Sequence, residues 1–286
     1  MYLLGSFVII IFIVIGQLPL TFFVSAESIL AAGGDPMTSL RSLDKNLQLF
    51  LLLTPFAFGF LGLFLVVKKI HERSLRSIST SRKSLDWKRI FYAFSVWGLV
   101  TILLISVDYI INPDDYQWNF NYKSFALLFI ITIALMPLQT SLEEFIFRGY
   151  LMQGFVTLFK NRWCALLMTS LVFGSLHLFN PEVQKLGLGL MSYYIGTGLF
   201  LGILTLMDEG IELALGFHAA NNIITALLVT SSWTAFQTES IFIDVSEPSL
   251  GGEVFLSLFI LYPLFIYLMS NKFNWFGWKI KLISKI

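Results

Sequence analysis

Apolar residues run along this chain in long, nearly unbroken stretches. They form neither the spaced stripe of a soluble amphipathic helix nor the alternation of a half-buried strand. Eight stretches stand out: roughly Leu3–Val24, Leu47–Val67, Ile90–Ile111, Ile131–Phe159, Trp163–Phe179, Leu186–Met207, Ile211–Thr230 and Val254–Ser270. A helix needs about 20 mainly apolar residues to cross the hydrocarbon core of a bilayer. Each stretch is therefore read as a span, and the chain as all-α, a polytopic transmembrane helical bundle of about eight helices. The pattern contains no internal repeat, no low-complexity tract and no Gly-rich phosphate loop. Residues 1–286 are expected to form a single integral membrane domain, so any chemistry should lie in or beside the bilayer.

Composition strengthens this reading. The chain is 56% hydrophobic and 13% charged, whereas a soluble domain carries about 25% charged residues. Too little charge remains to coat a soluble globule. A nucleic-acid partner is not expected, because no basic–aromatic surface is present. The single cysteine, Cys164, sits in an apolar run, which excludes an internal disulfide and a Cys-based metal site.

The charges that remain are segregated, and this predicts orientation, since cytoplasmic loops hold an excess of Lys and Arg. The connection from Lys68 to Arg89 carries eight cations: Lys68, Lys69, Arg73, Arg76, Arg82, Lys83, Lys88 and Arg89. The tail carries Lys272, Lys279, Lys281 and Lys285, and its Trp275 and Trp278 suit a short interfacial helix. Both regions are expected to be cytoplasmic. The acidic segment Ser231–Glu253 and the loop with Asp114 and Asp115 are expected outside. Eight spans with both termini cytoplasmic satisfy all of these. Val24-Ser25-Ala26 could pass for a signal-peptide cleavage site, but no basic residue precedes the first apolar stretch, and an uncleaved span is favoured.

An ionisable group within hydrocarbon costs about 2.5–3.5 kcal/mol on insertion scales, so such residues are functional candidates by default. Three places qualify. In the fourth span, Glu144 and Arg148 are four residues apart, stack on one helix face and can pair. Glu143 is turned by about 100° from Glu144 and cannot share that pairing equally. One carboxylate is thus occupied and one is freer, as a general base requires. In the fifth span lies Phe173-Gly174-Ser175-Leu176-His177; in the seventh, His218 and Asn222 share a face. Buried polar groups need partners, and these groups can serve one another. The blander readings are a charge cluster at a helix end for the glutamates and satisfied core histidines for the other two. His71 in the basic loop is read as solvated. Tyr193, Tyr194 and Thr197 read as packing or hydrogen bonding between helices. Asp208, Glu209 and Glu212 read as marking a helix end, and Gly187, Gly189, Gly196, Gly198 and Gly202 as close packing.

Together the three motifs resemble the CPBP family of intramembrane glutamic endopeptidases, also called the Abi or type II CAAX prenyl endopeptidase family. Its pattern is Glu-Glu-x-x-x-Arg, then Phe-x-x-x-His, then His-x-x-x-Asn, each in a different membrane helix. This chain matches every position in order: Glu143, Glu144, Arg148; Phe173, His177; His218, Asn222. The resemblance covers residues 128–230, the expected catalytic core. It implies that Glu143 with His177 activates a water for attack on a peptide carbonyl. His218 and Asn222 would then stabilise the oxyanion, while Glu144 and Arg148 hold the helix and tune the site. It implies no cofactor and no metal. Two His and a Glu are nonetheless acceptable zinc ligands, and a metal site is the competing form of the enzyme.

The resemblance implies a membrane-protein or peptide substrate and a bacterial cytoplasmic membrane. Nothing in the motifs requires a prenylated substrate or a particular oligomeric state. A non-catalytic immunity or scaffold protein of the same family is the alternative class; a proton-coupled transporter is disfavoured by the lack of inverted, broken-helix repeats. Glu143, His177 and His218 are expected to converge around one polar cavity, although the span limits place Glu143 mid-helix and His177 near an outer end. Pro137 could interrupt the fourth span.

Overall fold

The computed structural model describes residues 1–31 and 36–285. The side chains of Ala26 and Glu253, which entered the reading above, lie outside the described ones. The chain is a mainly helical bundle and an integral membrane protein. Among the described residues, six helices are long and apolar enough to cross a membrane: α1 (Tyr2–Phe22), α2 (Lys45–Ile70), α3 (Trp87–Ile111), α4 (Tyr122–Phe159), α6 (Leu188–Asp208) and α8 (Val254–Phe273). The other two expected spans form shorter helices, α5 (Arg162–Ser175) and α7 (Glu212–Leu228).

Those two differences have physical causes. Downstream of α5, Asn180 precedes Pro181, and a residue before proline is pushed out of helical backbone. Tight turns fill the gap, with His177 N–H donating to the Gly174 carbonyl and Asn180 N–H to that of His177. His177 therefore lies just beyond α5, not inside a span. Helix α7 is the central helix, and 10 of its residues are buried. A helix enclosed by protein need be neither as long nor as apolar as one that faces lipid.

Asx residues start four of the helices. Asp44, Asp86, Asn121 and Asn161 each accept hydrogen bonds from first-turn backbone N–H groups of α2, α3, α4 and α5. Helix α4 begins earlier than hydropathy suggested because Asn121 caps it. It also runs through Pro137 without a break. Its irregularity lies instead at Phe145–Leu151, a π-helical turn, a local form common at functional sites.

Among the described residues four apolar clusters hold the bundle, and two of them are the largest. Trp97, Phe200, Phe217, Tyr262 and Phe265 join α3, α6, α7 and α8, with Phe200 stacked on Tyr262 at 4.2 Å between ring centres. Ile9, Leu63, Val66, Leu142 and Tyr150 join α1, α2 and α4. Outward-facing residues are equally apolar: Leu3 is 89% exposed, Ile110 74% and Phe259 69%. Lipid is the solvent that such a surface fits.

The all-α expectation holds apart from one small sheet. Strands β1 (Tyr116–Trp118), β2 (Val229–Ser231) and β3 (Phe242–Asp244) pair in the order β1-β3-β2. Tyr116 pairs with Asp244 in the antiparallel half, and Val229 with Phe242 in the parallel half. The sheet ties the α3–α4 connection to the segment that follows α7.

At the opposite ends of these helices sits an ionic cluster. Asp208 and Glu212, read above as marks of a helix end, are buried there. Arg82 donates to the Asp208 carboxylate at 3.0 Å and to Glu212 at 3.2 Å. Arg89 pairs with Asp208 as well, and Trp275 of the tail donates its indole N–H to Asp208 at 3.0 Å. Lys281, in a short tail helix Trp278–Ile283, pairs with Glu209 at 3.0 Å. His71 also departs from expectation: it is half-buried, bonded to the Tyr150 hydroxyl at 2.9 Å and packed on Tyr2.

Candidate functional site

Glu144 is the centre of the polar interior. It is fully buried on α4, and one oxygen, Oε1, accepts two hydrogen bonds. Arg148 donates from the next turn at 3.0 Å, and His218 Nδ1 donates from α7 at 2.7 Å. The Glu144–Arg148 pair expected from the four-residue spacing is present. Its other oxygen, Oε2, is buried with no hydrogen-bond partner among the described residues. Arg148 also reaches the Gly198 carbonyl on α6 at 3.4 Å and lies over the Phe173 ring at 4.4 Å. Glycine at 198 lets α6 pack closely on α5, because a Cβ there would stand 2.9 Å from the Ser170 Cα.

Glu143 faces the other side of His218. Its Oε2 lies 3.6 Å from His218 Nε2. With Nδ1 committed to the Glu144 carboxylate, an acceptor, His218 offers Nε2 to Glu143. The separation is too long for a direct hydrogen bond but short enough for both atoms to reach one water molecule. The His218 ring thus stands between two carboxylates on consecutive residues.

A second chain of hydrogen bonds reaches Glu143 from α3 and α7. Trp97 Nε1 donates to Asn221 Oδ1 at 3.2 Å, and Asn221 Nδ2 to Asn222 Oδ1 at 3.2 Å. Asn222 Nδ2 donates to Gln139 Oε1 at 3.0 Å, and Gln139 Nε2 to Glu143 Oε1 at 2.6 Å. An indole N–H can only donate, and an ionised carboxylate can only accept. Both ends therefore impose the same direction on every amide between them. Asn222 keeps one N–H outside this chain.

Five of the six sequence candidates, Glu143, Glu144, Arg148, His218 and Asn222, thus belong to one connected network. His177 does not bond to it. Its Nδ1 donates to the Phe173 carbonyl at 2.9 Å, and its ring stacks on Tyr194 at 4.2 Å. It adjoins the network only through Phe173, whose ring centre lies 4.9 Å from His177 and 6.4 Å from His218. In this structure His218, not His177, is the imidazole beside Glu143. The reason is that α5 ends before His177, which carries its ring toward Tyr194. Tyr194 packs on His177, and Thr197 bonds Tyr262 across helices at 3.0 Å, both as expected.

Sequence reading passed over Gln139, although it stands four residues before Glu143 on α4, the same spacing that revealed Glu144 and Arg148. Trp97 and Asn221 meet only through tertiary packing. Among the described residues, no group of three His, Cys, Asp or Glu side chains is arranged to hold a metal ion.

The bundle thus holds a Glu-Glu-x-x-x-Arg helix against a His-x-x-x-Asn helix. Residues 122–224 match the family described as type II CAAX prenyl endopeptidase Rce1-like. The Bacillus subtilis (strain 168) protein YyaK, described as uncharacterized, is 34% identical over 188 residues, which are 65% of this chain and 63% of that protein. The match thus spans less than two thirds of that relative's length. No solved structure matches the chain.

Proposed function

We propose that this chain is an intramembrane endopeptidase that hydrolyses a peptide bond of a membrane-associated protein or peptide. Residues 128–230 form its catalytic core within a single membrane domain. The observation that carries the reading is the His218 ring held by Glu144 at 2.7 Å with its far nitrogen 3.6 Å from Glu143. The imidazole is oriented by Glu144, and with the Glu143 carboxylate it can hold a water for proton abstraction.

Glu143 acts as general base on a water that His218 Nε2 also holds. The water oxygen attacks the peptide carbonyl, and its proton passes to Glu143. The spare N–H of Asn222 receives the developing oxyanion, an interaction worth about 2.7–4 kcal/mol. When the C–N bond breaks, the proton on Glu143 goes to the leaving amine. Arg148 pairs with Glu144, which accepts from His218 Nδ1. Gln139 holds Glu143 and Asn222 in register. His177, with Tyr194, borders the site and positions substrate. The mechanism requires no metal or cofactor.

The basic loop and tail favour a cytoplasmic location for both termini. The Bacillus relative supports a bacterial cytoplasmic membrane.

The test compares wild type with Glu143→Gln, which keeps the shape and removes the base. Membrane peptides and secreted termini are quantified by proteomics at equal protein abundance. A terminus produced only by wild type establishes proteolysis and identifies the substrate. Indistinguishable profiles would reject the protease and leave a scaffold or immunity protein.

A further inference from the structure

A cavity of about 670 Å³ lies along the seam of α4 and α7, and none of the six candidate residues lines it. Its inner wall is apolar apart from Ser141, with Pro137, Leu138 and Phe145 from α4, Leu215 and Ala219 from α7, and Phe60 from α2. Its mouth is formed by the basic loop. There Arg76, Ser79, Lys83 and Ser84 meet Leu85 and Trp87, the last 61% exposed. Lys83, Ser84, Leu85 and Trp87 also line a second concavity of about 480 Å³ that adds Arg82, Asp86 and Lys88.

The charges at this mouth are unlike those of the neighbouring loop. Arg82 and Arg89 are committed to Asp208 and Glu212. Asp86 caps α3 and pairs with Arg89 at 3.3 Å. Arg76 gives one N–H to the Arg82 carbonyl at 2.7 Å and meets no carboxylate among the described residues. Lys83 has no ion-pair partner among them. No acid lines the larger cavity. Two cations and two serines thus rim an apolar slot at the end of the bundle, where an exposed tryptophan marks an interface.

We propose that this cavity binds an anionic glycerophospholipid, with the phosphate between Arg76 and Lys83 and the acyl chains entering the apolar wall and continuing into the bilayer. Its size matches that of sites for small organic ligands. A basic pocket between membrane helices on the positively charged side is the kind of place where anionic headgroups settle. The zwitterionic lipid of the same shape lacks the net charge to which the two free cations respond. Because the slot is walled by α4 and α7, its occupant also braces the two helices that carry Glu143 and His218. This inference is independent of whether the site turns over substrate.

The test uses the full chain in nanodiscs of phosphatidylglycerol mixed with phosphatidylcholine, followed by native mass spectrometry of the retained lipid. Wild type should retain phosphatidylglycerol over phosphatidylcholine by about 30-fold, from roughly a fivefold preference per cation. The double variant Arg76→Ala/Lys83→Ala should fall to within about twofold. Lys68→Ala/Lys69→Ala, in the same loop but outside the cavity, should keep the preference. Equal loss in both double variants would show diffuse surface attraction and overturn the site. Displacement of the lipid by sn-glycerol 3-phosphate alone would overturn the assignment of its acyl chains to the apolar wall.

Discussion

Replacing Arg148 by methionine removes the buried cation while keeping most of the side-chain volume. Arg148 is 3% exposed and Glu144 0%, so solvent screening does not soften the loss. The variant leaves Glu144 with His218 as its hydrogen-bond partner and Oε2 still without one. Removing one partner of a buried ion pair costs about 3–5 kcal/mol, because the remaining charge stays in a medium that solvates it poorly. The lost contact over Phe173 adds to that cost. In a helical protein of this size each kcal/mol lowers the midpoint by about 2–4 °C, so thermal unfolding in detergent should fall by about 10 °C. The double variant Arg148→Met/Glu144→Gln removes both charges, and the Gln oxygen can still accept from His218 Nδ1. Replacing a whole buried pair is often nearly neutral, so the double variant should recover to within about 1 kcal/mol of wild type. If Arg148→Met leaves the midpoint unchanged, or the double variant is as unstable as the single, the pair does not govern this core.

Gln139→Leu should leave the fold intact and slow substrate cleavage by about 100-fold, since it frees Glu143 and Asn222 from a shared anchor and displacements of about 1 Å cost that much; a cleavage assay in membranes checks it, and full activity would remove Gln139 from the site. Arg82→Met should lower stability by about 3 kcal/mol, because Asp208 and Glu212 are nearly fully buried, at 4% and 0% exposure; thermal unfolding measures it, and an unchanged midpoint would refute it. Burial, then the ammonium of Met1 and the Arg73 guanidinium, hold the His71 pKa below its ordinary 6.5. As pH falls through about 6.5 the unfolded chain protonates first, so stability is full above that pH and declines below it. His71→Gln should flatten this decline in a pH series of unfolding midpoints, and an equal slope would show that His71 is not its source.

The extent to which the site could be read from sequence follows the range of each contact. Glu144 and Arg148 are four residues apart on one helix, and helix geometry alone brings them together. Gln139 and Glu143 obey the same rule, and a search for any polar residue four positions from a candidate would have found Gln139. The contacts of His218 with Glu143 and Glu144 depend on how α7 packs against α4, which no local spacing encodes. Trp97 lay hidden for the same reason, since its ring packs on Phe217 and its N–H on Asn221. Hydropathy located α1, α2, α3 and α8 well because lipid demands apolar side chains on most of their surface. It overestimated α5, where Pro181 and the preceding turns intervene. It missed the first turns of α4, where Lys123 and Ser124 lower the local hydropathy although Asn121 caps a helix there. The π turn at Phe145–Leu151 carries no proline or glycine pair at its start and left no mark in the pattern.

The cluster around Asp208 also sets an order of events during synthesis. Asp208 and Glu212 are made some 120 residues after Arg82 and Arg89, the cations that neutralise them. When α6 and α7 leave the insertion machinery, their shared end carries two carboxylates that their own helices cannot satisfy. The basic loop supplies Arg82, α3 supplies Arg89, and the tail delivers Trp275 and Lys281. The junction between α6 and α7 therefore has its charges met only by residues distant in the chain, and it closes as a neutral unit only when the basic loop, α3 and the tail are all in place.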